Sequence, residues 1–167
     1  GVDFRKGFWI AGIFLYTVLL TVLLKETIDF PRPIAVDTTL NSYGREAGAN
    51  LLSLQPKTFF EGFSEEVLQE IRKKEAGRYG FPSGHTSLIT AIFLSCALFF
   101  RKKWLWYLTP VLIFLTMVSR MYLGRHYLAD VLGGLVLGLS VTLGIYFISK
   151  LGNQNTSQKL NLKEKLL

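Results

Sequence analysis

The sequence predicts an all-α protein, an integral membrane helical bundle of about four transmembrane helices, and three observations predict it. Half of its 167 residues are hydrophobic and 14% are aromatic, and the mean hydropathy of +0.32 is high for a soluble domain. Four apolar runs recur along the chain, each near the ~20 residues a helix needs to cross the hydrocarbon core. The 19 lysines and arginines outnumber the 12 acids, for a net charge of +7, and they gather at the edges of those runs. Charge placed this way marks membrane interfaces and a lipid bilayer as partner, and it excludes a nucleic-acid surface.

The first run spans roughly residues 8 to 24, the second 86 to 100, the third 104 to 118 and the fourth 128 to 148. The second is the shortest, but Arg101, Lys102, Lys103, Trp104, Trp106 and Tyr107 follow it directly, the residue types of a membrane interface. In the fourth, Gly134 and Gly138 stand in a small-xxx-small spacing that lets a neighbouring helix approach closely. Cys96 is the single cysteine and lies inside an apolar run. Neither a disulfide framework nor a multi-cysteine metal site is available, and Cys96 reads as core.

The first two runs are joined by about 60 residues, long enough to carry structure of its own. Ser64 as cap, Glu65 and Glu66 in a first turn, Lys73 and Lys74 in a last turn and Gly77 as terminator predict an amphipathic helix there, with Phe60, Phe63, Val67 and Ile71 on one face. Residues 1–151 are thus expected to form one membrane-embedded domain, with the loop 25–85 on one face of it. Residues 152–167 form a polar, lysine-bearing tail, expected to fray or lie on the surface.

Counting passages through the membrane places the ends of these runs. The first ends at Lys25, the second begins after His85, the third ends near Arg120 and the fourth begins after His126, so all four points fall on one side. That side gathers Lys25, Arg32, His85, Arg120, Arg125, His126 and Asp130. The other receives Arg5, Lys6, the basic residues 101–103 and the tail, which the positive-inside rule assigns to the cytoplasm.

Three stretches on the shared side carry chemistry. In Lys25-Glu-Thr-Ile-Asp-Phe-Pro-Arg32-Pro33 the helix has to stop before the prolines, leaving two cations to converge on one anion or to act as plain interface anchors. In Pro82-Ser83-Gly84-His85, Ser83 is placed to cap the next helix and Gly84 to admit a ligand to the free N–H groups of its first turn, with a simple cap beside an interfacial histidine as the competing reading. In Ser119-Arg120 through His126 to Asp130, Gly124 breaks the chain and the last two residues stand four apart. On one helix face Asp130 can hold the imidazole in one tautomer and leave it nucleophilic, whereas a structural Arg120–Asp130 pair is the alternative.

Taken together these stretches resemble the type 2 phosphatidic acid phosphatase superfamily, the lipid phosphate phosphatases, whose signature reads KxxxxxxRP, PSGH and SRxxxxxHxxxD. All eleven fixed positions are met in order and spacing by Lys25, Arg32, Pro33, Pro82, Ser83, Gly84, His85, Ser119, Arg120, His126 and Asp130. The resemblance implies a two-step hydrolysis that needs no metal and no cofactor. His126 is the nucleophile and forms a phosphohistidine, His85 protonates the departing oxygen and Asp130 orients His126. Lys25, Arg32, Ser83, Gly84 and Arg120 bind the phosphoryl oxygens. Arg125 fills no fixed position and is left as a head-group contact. Members of the family commonly have six spans; this sequence holds the helix that ends in the first motif and the three after it, a shortened chain or a minimal member.

The implied substrate is a membrane lipid carrying a phosphate monoester or diphosphate, with lipid A 1-phosphate, undecaprenyl diphosphate, phosphatidylglycerol phosphate and phosphatidic acid as candidates. Lipid A 1-phosphatases are the first subgroup suggested by the short bundle. The expected location is the inner, or plasma, membrane of a bacterial envelope, with the site facing the periplasm or exterior. Haloperoxidases that bind vanadate and soluble acid phosphatases are similar at the same motifs, but four apolar runs argue against them. A transporter or lipid-binding membrane protein that grips phosphate without cleaving it is the alternative from another class.

Overall fold

A computed structural model of the chain describes residues 4–36 and 79–165. The described part is all helix and turn: α1 Phe4–Ile28, a single turn α2 Pro33–Val36, α3 Gly84–Phe100, α4 Lys103–Tyr122 and α5 Leu128–Lys165. The predicted amphipathic helix within residues 60–77 lies outside the described residues.

Three of the helices are long and apolar enough to cross a membrane: α1, α4 and the Leu128–Gly152 part of α5. The second expected span, α3, has 17 residues, roughly 26 Å of helix against a hydrocarbon core of ~30 Å. It is the central element, packed against α1, α4 and α5, while α1 also meets α5. The last helix does not stop at the end of its apolar run but continues through Gly152 to Lys165.

Helix breaks sit where residue chemistry puts them. Asp29, in the left-handed region at φ 42°, ends α1 with its N–H bonded to the Lys25 carbonyl at 2.9 Å. Pro33 opens α2 at the position where a missing N–H costs nothing. Gly124, at φ 62°, ends the turn after α4 with its N–H on the Met121 carbonyl at 2.9 Å, a conformation that favours glycine.

Packing is inverted relative to a water-soluble bundle. Thr17, Thr21, Thr86, Ser87, Thr90 and Thr142 are buried, whereas Phe8, Leu15, Leu19, Phe114, Val136 and Phe147 are exposed. Lipid is as apolar as leucine, so helices in a membrane associate through small residues that allow close contact, not through apolar contrast. A Cβ added at Gly134 would lie 2.4 Å from the Ser83 carbonyl oxygen, and one at Gly138 would lie 2.6 Å from that of Ser87. The predicted close approach is therefore met, between α5 and α3. Some buried hydroxyls return to their own helix, as Thr17 Oγ1 does to the Ile13 carbonyl at 2.7 Å, whereas Thr90 Oγ1 and Thr142 Oγ1 have no partner among the described residues. A small apolar cluster of Ile13, Ala91 and Val141 joins α1, α3 and α5 further along, and Cys96 is half-buried on α3.

Candidate active site

The site forms at one end of the bundle because the start of α5 is tied to the start of α3. Asp130 does both parts of this. Its carbonyl accepts the Ser83 N–H at 2.8 Å, fixing the Pro82–His85 stretch against α5. Its Oδ2 accepts the Tyr127 N–H at 2.8 Å, the contact an acidic residue in the first turn makes to close a helix N-terminus. The same oxygen lies 3.4 Å from His126 Nδ1, with both side chains buried.

That distance is long for a hydrogen bond and the alignment is poor, so Nδ1 has no hydrogen-bond partner and Asp130 Oδ1 has none either. The pair is in electrostatic contact. Because Nδ1 faces the carboxylate, the proton of a neutral His126 belongs there and the Nε2 lone pair is the one left for chemistry.

Ser83 takes the N-cap position of α3 with no side-chain bond to a main-chain N–H of the helix. Its Oγ instead accepts the Thr86 Oγ1 proton at 3.0 Å, and the whole residue is buried at 0% exposure. The first-turn N–H groups of α3 therefore lack a side-chain cap, leaving the positive end of the helix for an anion. Thr21 on α1 meets Ser87 on α3 at 3.0 Å, one turn from Lys25, and brings the Lys25 stem past Gly84, where an added Cβ would sit 3.8 Å from Lys25 Cε.

The expected one-sided clustering is present. His85 lies within electrostatic reach of Arg120, His126, Arg32 and Lys25, and Lys25 within reach of Arg32 and Asp130. Arg120 Nε is buried with no hydrogen-bond partner, and the ion-pair contact found for Asp130 among the described residues is with His126. His85 stands at the start of α3, where its side chain is exposed. Arg125 closes the turn before α5, its N–H on the Arg120 carbonyl at 3.1 Å.

Other contacts involve residues that sequence reasoning did not single out. Phe30 packs edge-on to Tyr127 with ring centroids 6.0 Å apart, joining the first stretch to the third. Lys25 Nζ donates to the Tyr79 carbonyl, and the Tyr79 hydroxyl donates to Glu26 Oε2 at 3.3 Å. Gly80, two residues before Pro82, was the one visible signal of a close approach; a bond to the Tyr79 main chain leaves no trace in residue type.

Known proteins are similar to this chain. A family model described as the PAP2 superfamily matches residues 6–151. The Lipid A 4'-phosphatase of Bacteroides thetaiotaomicron is 30% identical over 156 residues, 86% of this chain and 65% of that protein. The Lipid A 4'-phosphatase of Porphyromonas gingivalis is 34% identical over 70 residues, 42% of this chain and 30% of that protein. The Phosphatidylglycerophosphatase B of Bacillus subtilis is 36% identical over 70 residues, 36% of this chain and 34% of that protein. In each case the match spans less than two thirds of the relative's own length. No solved structure matches.

Proposed function

The chain belongs to the PAP2 superfamily, and from that premise we propose that it is an integral membrane phosphatase that hydrolyses a lipid phosphate through a phosphohistidine on His126. The observation that carries this reading is the meeting of a carboxylate-backed histidine with a second histidine and three cations. A site that only grips phosphate needs the cations but no oriented imidazole.

In the first step His126 Nε2 attacks phosphorus, the P–N bond forms and the bond from phosphorus to the lipid oxygen breaks. The leaving oxygen takes a proton from His85, and Asp130 steadies the positive charge that develops on His126. Water then attacks the phosphohistidine, forming a new P–O bond as the P–N bond breaks, giving its proton to His85, freeing His126 and releasing inorganic phosphate. The substrate dianion offsets the cations around His85 and favours the protonated form that donates. Lys25, Arg32 and Arg120 balance the dianion, each charge-assisted bond contributing about 1.5–3 kcal/mol. The Gly84 N–H binds at the helix end, and the Ser83 hydroxyl joins once the side chains covering it shift. These charges supply what a metal would otherwise provide, and the reaction runs without one.

The names of the relatives support lipid A phosphate esters, the 4' position foremost, and phosphatidylglycerophosphate as the first substrates to examine. The location that fits is the inner membrane, with the site toward the periplasm. The test is phosphate release by the purified full chain across a panel of lipid A, phosphatidylglycerophosphate, undecaprenyl diphosphate and phosphatidic acid. Activity should persist in EDTA and fall at least 10³-fold in His126→Ala, the scale of loss for a removed nucleophile. Turnover abolished by EDTA, or retained by His126→Ala, would reject the mechanism. Tight phosphate binding with no release would favour a transporter or lipid-binding protein.

A further inference from the structure

We infer that Tyr79, Gly80 and Glu26, none of them a fixed motif position, form a clasp that positions Lys25 for the phosphoryl group; the inference deepens the reading of the site as a phosphate site and rests on it. The chain leaving α1 and the chain entering α3 run side by side for a few residues. Gly80 N–H donates to the Phe30 carbonyl at 2.6 Å. An added Cβ on Gly80 would stand 2.9 Å from the Pro31 carbonyl oxygen and 3.0 Å from that of Phe30. The neighbouring atoms are main chain and cannot swing aside, so only glycine allows this approach.

Tyr79 holds φ 64° and Asp29 φ 42°, left-handed conformations that are uncommon away from glycine and persist where the surroundings enforce them. The Tyr79 carbonyl accepts from Lys25 Nζ. From the same residue, the phenol donates to Glu26 Oε2 at 3.3 Å. Lys25 and Glu26 are adjacent on the last turns of α1, so Tyr79 grips that turn at two points. A lysine carries three donors on a flexible four-carbon stem. Committing one donor to a fixed carbonyl restricts the stem and leaves two for an anion. The clasp thus gives a flexible side chain one direction, toward the first turn of α3 beside Gly84. Tyr79, Gly80 and Glu26 are positioning residues and do not touch the substrate.

Binding of inorganic phosphate to the purified full chain tests this separately from turnover. Gly80→Ala should weaken phosphate binding about tenfold, equivalent to ~1.4 kcal/mol. Tyr79→Phe should weaken it about threefold, and Glu26→Gln, which keeps an acceptor for the phenol, should stay within about twofold of the parent. The decisive measurement repeats Tyr79→Phe and Gly80→Ala in a Lys25→Ala background, where both effects should vanish if they act through Lys25. Undiminished effects in that background, or unchanged phosphate binding in both single variants, would overturn the clasp. If Gly80→Ala fails to fold, Tyr79→Phe with and without Lys25→Ala decides alone. Loss of hydrolysis in the parent protein would count against the enzyme reading and leave this comparison intact.

Discussion

At the scale of single residues, the site depends on Asp130 more than its spacing from His126 suggests. The i, i+4 relation reads the carboxylate as a partner for the imidazole, and the structure places it there at 3.4 Å. The same residue also holds Ser83 through its carbonyl and closes α5 through Tyr127. Asp130→Asn keeps an oxygen for the Tyr127 N–H and leaves the main-chain bond untouched, so the fold should survive. The lost charge should lower kcat by roughly 10²–10⁴-fold, with the circular dichroism spectrum and melting temperature near those of the parent. An unchanged kcat would remove Asp130 from the reaction. The motif residues were legible because their chemistry lies in their side chains. Tyr79 and the Asp130 carbonyl were not, because a main-chain acceptor is common to every residue type.

At the scale of elements, the close approach of α5 to α3 is what carries the first turn of α3 to His126. Gly138 meets Ser87 and Thr90 in main-chain and side-chain contact, whereas Gly144, on the same helix, has nothing within 4 Å. Gly138→Leu should therefore lower the melting temperature in detergent, consistent with the 1–3 kcal/mol typical of overpacking, or block folding. Gly144→Leu should leave it unchanged. Equal effects would mean that α5 packs differently. The glycine spacing, the four apolar runs and the break at Gly124 were all readable beforehand, since small residues and periodic apolarity report on packing directly. Helix ends were less so. α1 begins four residues earlier than its apolar run and α5 runs on to Lys165, because polar residues continue a helix once it is nucleated.

At the scale of the whole molecule, charge is divided between two ends. Lys25, Arg32, His85, Arg120, His126 and Asp130 share one end. Arg101 and Lys102 form the turn between α3 and α4, and Lys150 rests over the Tyr146 ring at 5.0 Å on the far part of α5. The proposed periplasmic orientation of the site, which rests on the positive-inside rule, puts the second end in the cytoplasm. A fluorescent protein fused after Leu167 should then be bright in cells, and alkaline phosphatase at the same place should be inactive; the opposite pattern would turn the site inward. The central helix adds a geometric condition. α3 is shorter than the bilayer core by roughly 4 Å, while α1, with 25 residues, reaches ~38 Å. A shortfall of α3 at the site end would sink the floor of the site below the rim. A lipid substrate drifting sideways in its own leaflet would then bring its head group to the proposed nucleophile by settling a few ångströms, with its acyl chains still in the hydrocarbon. Membrane thickness, acting through hydrophobic mismatch, then sets how far the substrate has to settle.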